Sequence, residues 1–205
     1  MLPASNNTAK DRDRGFVSRS LDSQQLPAPR RGLASEIEYY AVRMTTDLTV
    51  RPARLDDSAG IARVHIQAWR ESYAHLLPAA SLAGLEQGPR EERWRKIIAA
   101  AASDVWVACR GTDIVGWASA GAGRDEDSPR PRELNGIYVL ASEYGSGAGQ
   151  LLLDAAVGHG GAYLWIAEEN PRAFAFYRRN GFVPDGATSA HDLVGTAVPI
   201  LRMVS

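Results

Sequence analysis

The sequence predicts an α/β fold, a mixed sheet of about seven strands with four or so helices. Three observations carry this. Apolar runs of strand length alternate with amphipathic stretches of helical period. The strand-like runs DVWVACR and IVGWASAG are separated only by a short turn at Gly111 and Thr112, so they form a hairpin. The run ELNGIYVL leads through EYGSGAGQ into an apolar helix and then to AYLWIAEE, which is a parallel crossover.

Each element carries its own signature. LTVRPARL alternates apolar and polar residues and reads as a strand. Asp56, Asp57 and Ser58 supply N-cap chemistry for a helix running to about Tyr73. Its apolar face holds Ile61, Val64, His65, Ala68 and Trp69. HLLP turns the chain, and a second helix begins at Pro89 with Trp94, Ile97 and Ile98 as its stripe. The hairpin comes next. RDEDSPRPR is a polar loop broken by proline, and ELNGIYVL is the third strand of the core. After the glycines a helix runs to about Val157, then comes the strand AYLWIAEE. NPRAFAFYRRNG is a helix ended by Gly181, and FVPDG and VPILRMV close the sheet.

The totals bound the class. With 205 residues, 45% hydrophobic and 23% charged, the chain holds one globular domain plus an extension. A net charge of −1 implies no general attraction to nucleic acid or to anionic membranes. No apolar run approaches the ~20 residues of a membrane helix, and the N-terminus lacks the apolar core of a signal peptide. The single cysteine, Cys109, rules out an internal disulfide and fits a cytoplasmic location. Residues 1–43 mix charge, Ser, Gln and Pro without apolar period, so they form a loosely ordered extension. Within them, SEIEYYAVR has the length of a short helix or strand. Residues 44–205 are the domain, and Met44 is its natural start.

The glycine stretch poses the functional question. A helix N-terminus presents unpaired N–H groups and partial positive charge, and glycines before it let an anion reach the backbone. Gly145, Ser146, Gly147, Ala148, Gly149 and Gln150 therefore read either as a phosphate cradle or as a tight turn without ligand. A dinucleotide fingerprint requires a sixth-position glycine where Gln150 stands, and a triphosphate loop requires Gly-Lys, so neither fits.

Two segments together resemble the GCN5-related N-acetyltransferase (GNAT) superfamily. The first is Tyr144-x-x-Gly147-x-Gly149, similar to the family's Q/R-x-x-G-x-G/A. The second is Asn170, Ala173, Phe176, Tyr177, Gly181 and Phe182, similar to N-x-x-A-x-x-F-Y-x-x-x-G-F. The resemblance spans about 48–204. HIQAWRESYAHLLP and REERWRKIIA look most like the branch that acetylates polyamines and other small amines. Tyr144 departs from the pattern and gives up the charge or amide that the family places beside the coenzyme A diphosphate. Ala141 stands where proline is common.

The resemblance implies a mostly antiparallel sheet whose central strands splay at a bulge. It also implies acetyl-CoA as cosubstrate, without a metal, and direct transfer of acetyl to a primary amine. Ile137, Tyr138 and Val139 would offer the free edge that pairs with pantetheine, with the Val139 N–H on the oxyanion. Tyr177 would donate to the leaving thiolate; on the helical stripe alone it reads as a core residue. Asn170 is an N-cap and, by resemblance, a pantetheine contact. Glu133 is a candidate base or an ordinary strand end, and Glu168 and Glu169 are weaker candidates. Glu71 either attracts a cationic amine or belongs to a solvated face. Trp69 and Tyr73, one turn apart, wall an acceptor pocket or pack the core. Arg172, Arg178 and Arg179 read as a solvated face, or supply a contact to the 3′-phosphate. The four histidines lack metal-ligand spacing.

The expected partner is a small-molecule amine, with no membrane and no nucleic acid, and an exposed sheet edge would allow a homodimer. Two alternatives stand beside this reading. One is a macromolecular acceptor: a protein N-terminus, a lysine or an aminoacyl-tRNA. The other is an acyl-CoA-binding module without turnover.

Overall fold

The computed structural model describes residues 48–205. The expectations for residues 1–43 and for Met44 lie outside the described residues. Seven strands form one sheet: Leu48–Pro52 (β1), Ser103–Arg110 (β2), Asp113–Ala122 (β3), Arg132–Val139 (β4), Tyr163–Ala167 (β5), Val183–Leu193 (β6) and Thr196–Val204 (β7). Their spatial order is β1-β2-β3-β4-β5-β7-β6. β4 and β5 pair parallel, and the other neighbours are antiparallel.

Five helices are described: Ser58–Ser72 (α1), Ala79–Ala83 (α2), Gln87–Ala100 (α3), Ala148–Val157 (α4) and Pro171–Arg179 (α5). α2 adds to the four expected. Its five residues are too few to show a period, so nothing in the sequence after HLLP separates it from the turn. α1 lacks the side-chain cap expected of it. The Asp57 carboxylate instead takes two bonds from Arg51 at 2.7 and 2.8 Å and one from the Arg54 N–H at 2.7 Å.

Strand β2 shows why the sheet reads apolar throughout. Val105, Val107 and Cys109 join Ile61, Val64 and Trp94 beneath α1 and α3. Ala108, of opposite parity, joins Leu152, Leu153 and Ala156 of α4. Both faces are covered, as in other sheets with crossover helices.

The centre of the sheet comes apart. Ser119 faces Gly136 and Ala120 faces Leu134, so Asn135 is the extra residue of a bulge. β4 meets β5 at the single register pair Glu133–Tyr163. Beyond that pair, residues 136–139 keep β3 on one side and, among the described residues, have no strand on the other edge.

Candidate active site

The separation of β4 from β5 opens a cleft of about 550 Å³. One wall is β4 from Asn135 to Val139. The α4 turn closes one end through Glu143, Tyr144, Gly145, Gly147, Gly149 and Gln150. α5 forms the opposite wall with Asn170, Ala173, Phe176 and Tyr177, and Tyr73 stands at the far end. The two motifs are thus brought to one cavity.

The turn fits an anionic group. Gly145 has φ +82° and Gly147 φ +93°, both in the left-handed region that a side chain strains to enter. A Cβ at either would meet no atom within 4 Å, so the backbone lies open. Ser146 Oγ accepts from the Ala148 N–H at 3.3 Å. The remaining N–H groups of the first turn of α4 lack intrahelical partners, and no acidic side chain sits there. Glu143 is drawn away: its carboxylate takes Arg110 Nε at 2.8 Å and Nη2 at 2.6 Å. That pairing holds the Glu143 carboxyl below the usual carboxylate range.

Residues 137–139 line the cleft as expected. Their backbone polarity follows from the next residue. The Leu140 N–H donates to Val115 O at 3.0 Å, on the β3 side. Successive N–H groups of a strand point to opposite sides, so the Val139 N–H points into the cleft. The Tyr138 side chain leaves the cleft edge for α1, where its hydroxyl meets that of Tyr73 at 2.8 Å.

Asn170 caps α5, accepting from the Ala173 N–H at 3.0 Å, with Pro171 at the first helical position. Tyr177 is packed as a core residue and also faces the cleft. Its ring is 6% exposed and lies edge-on to Phe176 and Phe182, with centroids 5.2 and 5.6 Å away, yet it lines the cleft. Burial, with the nearby Tyr73 adding to it, raises the Tyr177 phenol well above its ordinary range.

The acceptor candidates divide. Tyr73 lines the cleft. Trp69 stands behind it, edge-on at 5.7 Å, with the Arg90 guanidinium 4.8 Å over its ring. Glu71 is occupied: it accepts from Gln67 Nε2 at 2.8 Å and from the Ala141 N–H at 2.8 Å, tying α1 to the chain after β4. Glu133 is not among the residues lining the cleft. It is 2% exposed and accepts from the Arg124 N–H at 3.1 Å, Arg124 Nε at 2.9 Å, Arg124 Nη2 and the Tyr163 hydroxyl at 3.0 Å. Three of these bonds go to Oε2 and one, from Arg124 Nη2, to Oε1. Burial pushes this carboxyl up, but the Arg124 bonds outweigh it and hold it below the usual range. Glu168 and Glu169 are exposed and are not among the lining residues either.

Sequence reasoning did not single out Asn135, Trp165 or Ser72, which also line the cleft. The Asn135 signal is the bulge, which has no local code. Trp165 Nε1 donates to Asp125 at 3.0 Å, from the loop between β3 and β4. His75 Nε2–H donates to Glu169 O at 2.7 Å, joining the α1–α2 loop to the turn before α5.

Comparison with known proteins agrees with this geometry. The family model described as an acetyltransferase (GNAT) domain matches residues 101–184. The uncharacterized N-acetyltransferase YuaI of Bacillus subtilis is 32% identical over 139 residues, which is 64% of this chain and 78% of that protein. Ribosomal-protein-alanine N-acetyltransferase from Brucella melitensis superposes with a TM-score of 0.60 at 22% identity, over 77% of this chain and 98% of that one. YncA from Salmonella typhimurium, solved with its cofactor acetyl-CoA, gives a TM-score of 0.57 at 18% identity, over 78% of this chain and 94% of that one. The sheet parted at β4 and β5, the glycine turn and the tyrosine of α5 thus have a common origin: the chain belongs to the GNAT family of N-acetyltransferases.

Proposed function

We propose that the protein moves an acetyl group from acetyl-CoA directly to a primary amine of a small molecule. The observation that carries this is the unpaired β4 edge, with the Val139 N–H aimed into a cleft that ends at the α4 glycine turn and at Tyr177. The glycine turn would hold the diphosphate on backbone N–H groups. Residues 137–139 would pair with the amide-bearing pantetheine arm as an added strand does. As the amine nitrogen attacks the acetyl carbon, the carbonyl oxygen gains charge, and the Val139 N–H would stabilise it. The C–S bond breaks and the sulfur takes the hydrogen bond of Tyr177. Its raised phenol stays protonated at neutral pH, so it serves as a donor.

For the base, the sequence offers Glu133. Its four hydrogen bonds and its burial support a structural role instead. The acceptor amine would then enter unprotonated or lose its proton to solvent.

The test is thiol release from acetyl-CoA against polyamines, aminoglycosides, amino acids and short peptides, with Tyr177→Phe alongside. Turnover on one class of small amine that collapses in the variant supports the reading. Tight acetyl-CoA binding with no turnover on any small amine overturns the small-molecule acceptor.

A further inference from the structure

Arg172 is the second residue of α5, and its guanidinium carbon lies 3.1 Å from the centroid of the Tyr144 ring. Both residues line the cleft beside the glycine turn. Arg172 is exposed and, among the described residues, has no carboxylate within ion-pair distance. Arg179, also exposed, lines the cleft from the last turn of α5, whereas Arg110 is engaged by Glu143, Arg124 by Glu133, and Arg202 by Asp125, Asp127 and Asp185.

The placement is electrostatically unfavourable as it stands. A cation in the first turn of a helix faces the positive end of the macrodipole. The N-terminus of α4, also without an acidic residue in its first turn, adds a second positive end. Glu143, the carboxylate at this end of the cleft, is neutralised by Arg110. Three positive sources therefore converge at this end of the cleft, while the carboxylates of the turn before α5, Glu168 and Glu169, are exposed and do not line it. The Tyr144 face holds the guanidinium by cation–π attraction, and that contact uses the face of the group, not its in-plane N–H donors. A planar fork of donors suits two phosphate oxygens.

We propose that Arg172, seated on Tyr144, is the side-chain cation that binds the diphosphate of the acyl donor. This rests on acetyl-CoA being that donor. Position 144 then contributes a platform in place of a charge, and the charge arrives from α5.

The test measures binding of three probes by calorimetry to the full chain and to Arg172→Ala: acetyl-CoA, 3′-dephospho-CoA and S-acetylpantetheine, which carries no phosphate. Arg172→Ala is expected to weaken acetyl-CoA and 3′-dephospho-CoA about tenfold each and to shift S-acetylpantetheine by less than twofold. Tyr144→Leu is expected to weaken acetyl-CoA about threefold, with little further loss when combined with Arg172→Ala. Arg178→Ala, on the same helix but not among the cleft-lining residues, controls for a general charge effect. Loss confined to acetyl-CoA, absent with 3′-dephospho-CoA, would assign Arg172 to the ribose phosphate and overturn the proposal. So would wild-type affinity in Arg172→Ala. If the wild-type chain itself binds no acetyl-CoA, the donor reading falls first and the proposal with it.

Discussion

The hydroxyls of Tyr73 and Tyr138 lie 2.8 Å apart, joining the C-cap of α1 to the unpaired edge of β4. The contact ties that edge to the end of α1. Burial raises the Tyr73 phenol, while its bond to Tyr138 partly opposes this. Tyr73→Phe leaves the Tyr138 hydroxyl without this partner and is expected to cost about 1 kcal/mol of stability. Tyr73→Phe with Tyr138→Phe removes both polar groups and should recover part of that loss. Urea unfolding of the two singles and the double checks this; fully additive losses would mean that the hydroxyls are not coupled.

Tyr177→Phe keeps the ring that packs on Phe176 and Phe182 and deletes only the donor. We expect kcat to fall about 100-fold, the scale of a lost general acid, with little change in melting temperature. Because burial raises the phenol, Tyr177 itself should impose no alkaline limb on the wild-type rate below pH 10. A pH profile of kcat for both proteins checks this. A variant with full activity would remove Tyr177 from the chemistry.

Much of the fold was legible because each long element carries its own period and each turn its own residues. The hairpin at Gly111, with φ +58°, is one case, and the Asn170 cap with Pro171 behind it is another. The two motifs lie about 25 residues apart in sequence and depend on backbone conformation and helix phase, both local properties, so the glycine turn and Tyr177 could be read. What failed were properties set by distant partners. The fate of Glu71 is decided by Ala141, 70 positions away, and that of Glu133 by Arg124, in a loop read only as polar. β6 extends through Leu193, well past FVPDG, because as an edge strand it stays exposed and shows no apolar alternation.

Glu133 should prove structural. Glu133→Ala removes the carboxylate acceptor of the buried Tyr163 hydroxyl, which keeps the Arg124 and Asp125 N–H groups and Ser128 Oγ as partners, and frees Arg124, whose side chain is 69% exposed and can rehydrate. The expected cost is about 2 kcal/mol, less than for a pair with both members buried. Its folded pKa is depressed, so the contribution is present above the unfolded carboxyl value of about 4.3 and fades as pH falls below it. Glu133→Gln should keep the acid limb of the kcat profile where the wild type has it. A limb that disappears would return Glu133 to the role of base.

His65 makes the fold sensitive to mild acid. Its ring lies among Trp69, Trp94, Trp117 and Tyr138, with centroids 4.9 to 5.8 Å away, and Nδ1 accepts from Trp94 Nε1 at 3.1 Å. Burial, with the charges of Arg90 and Arg93 adding to it, lowers its pKa to about 3. Between pH 3 and the unfolded value near 6.5, the unfolded chain therefore holds one proton more than the folded one. Stability rises with pH across that window, by up to about 1.4 kcal/mol per unit from this group, and is fully present above it. Denaturation at pH 4.5, 5.5 and 7.5 should show the slope in the wild type. His65→Phe keeps an aromatic ring but cannot titrate, so its slope should be shallower by one proton in the same window. Equal slopes in the two proteins would mean that the imidazole charges inside the fold, and that the aromatic cluster opens to admit water.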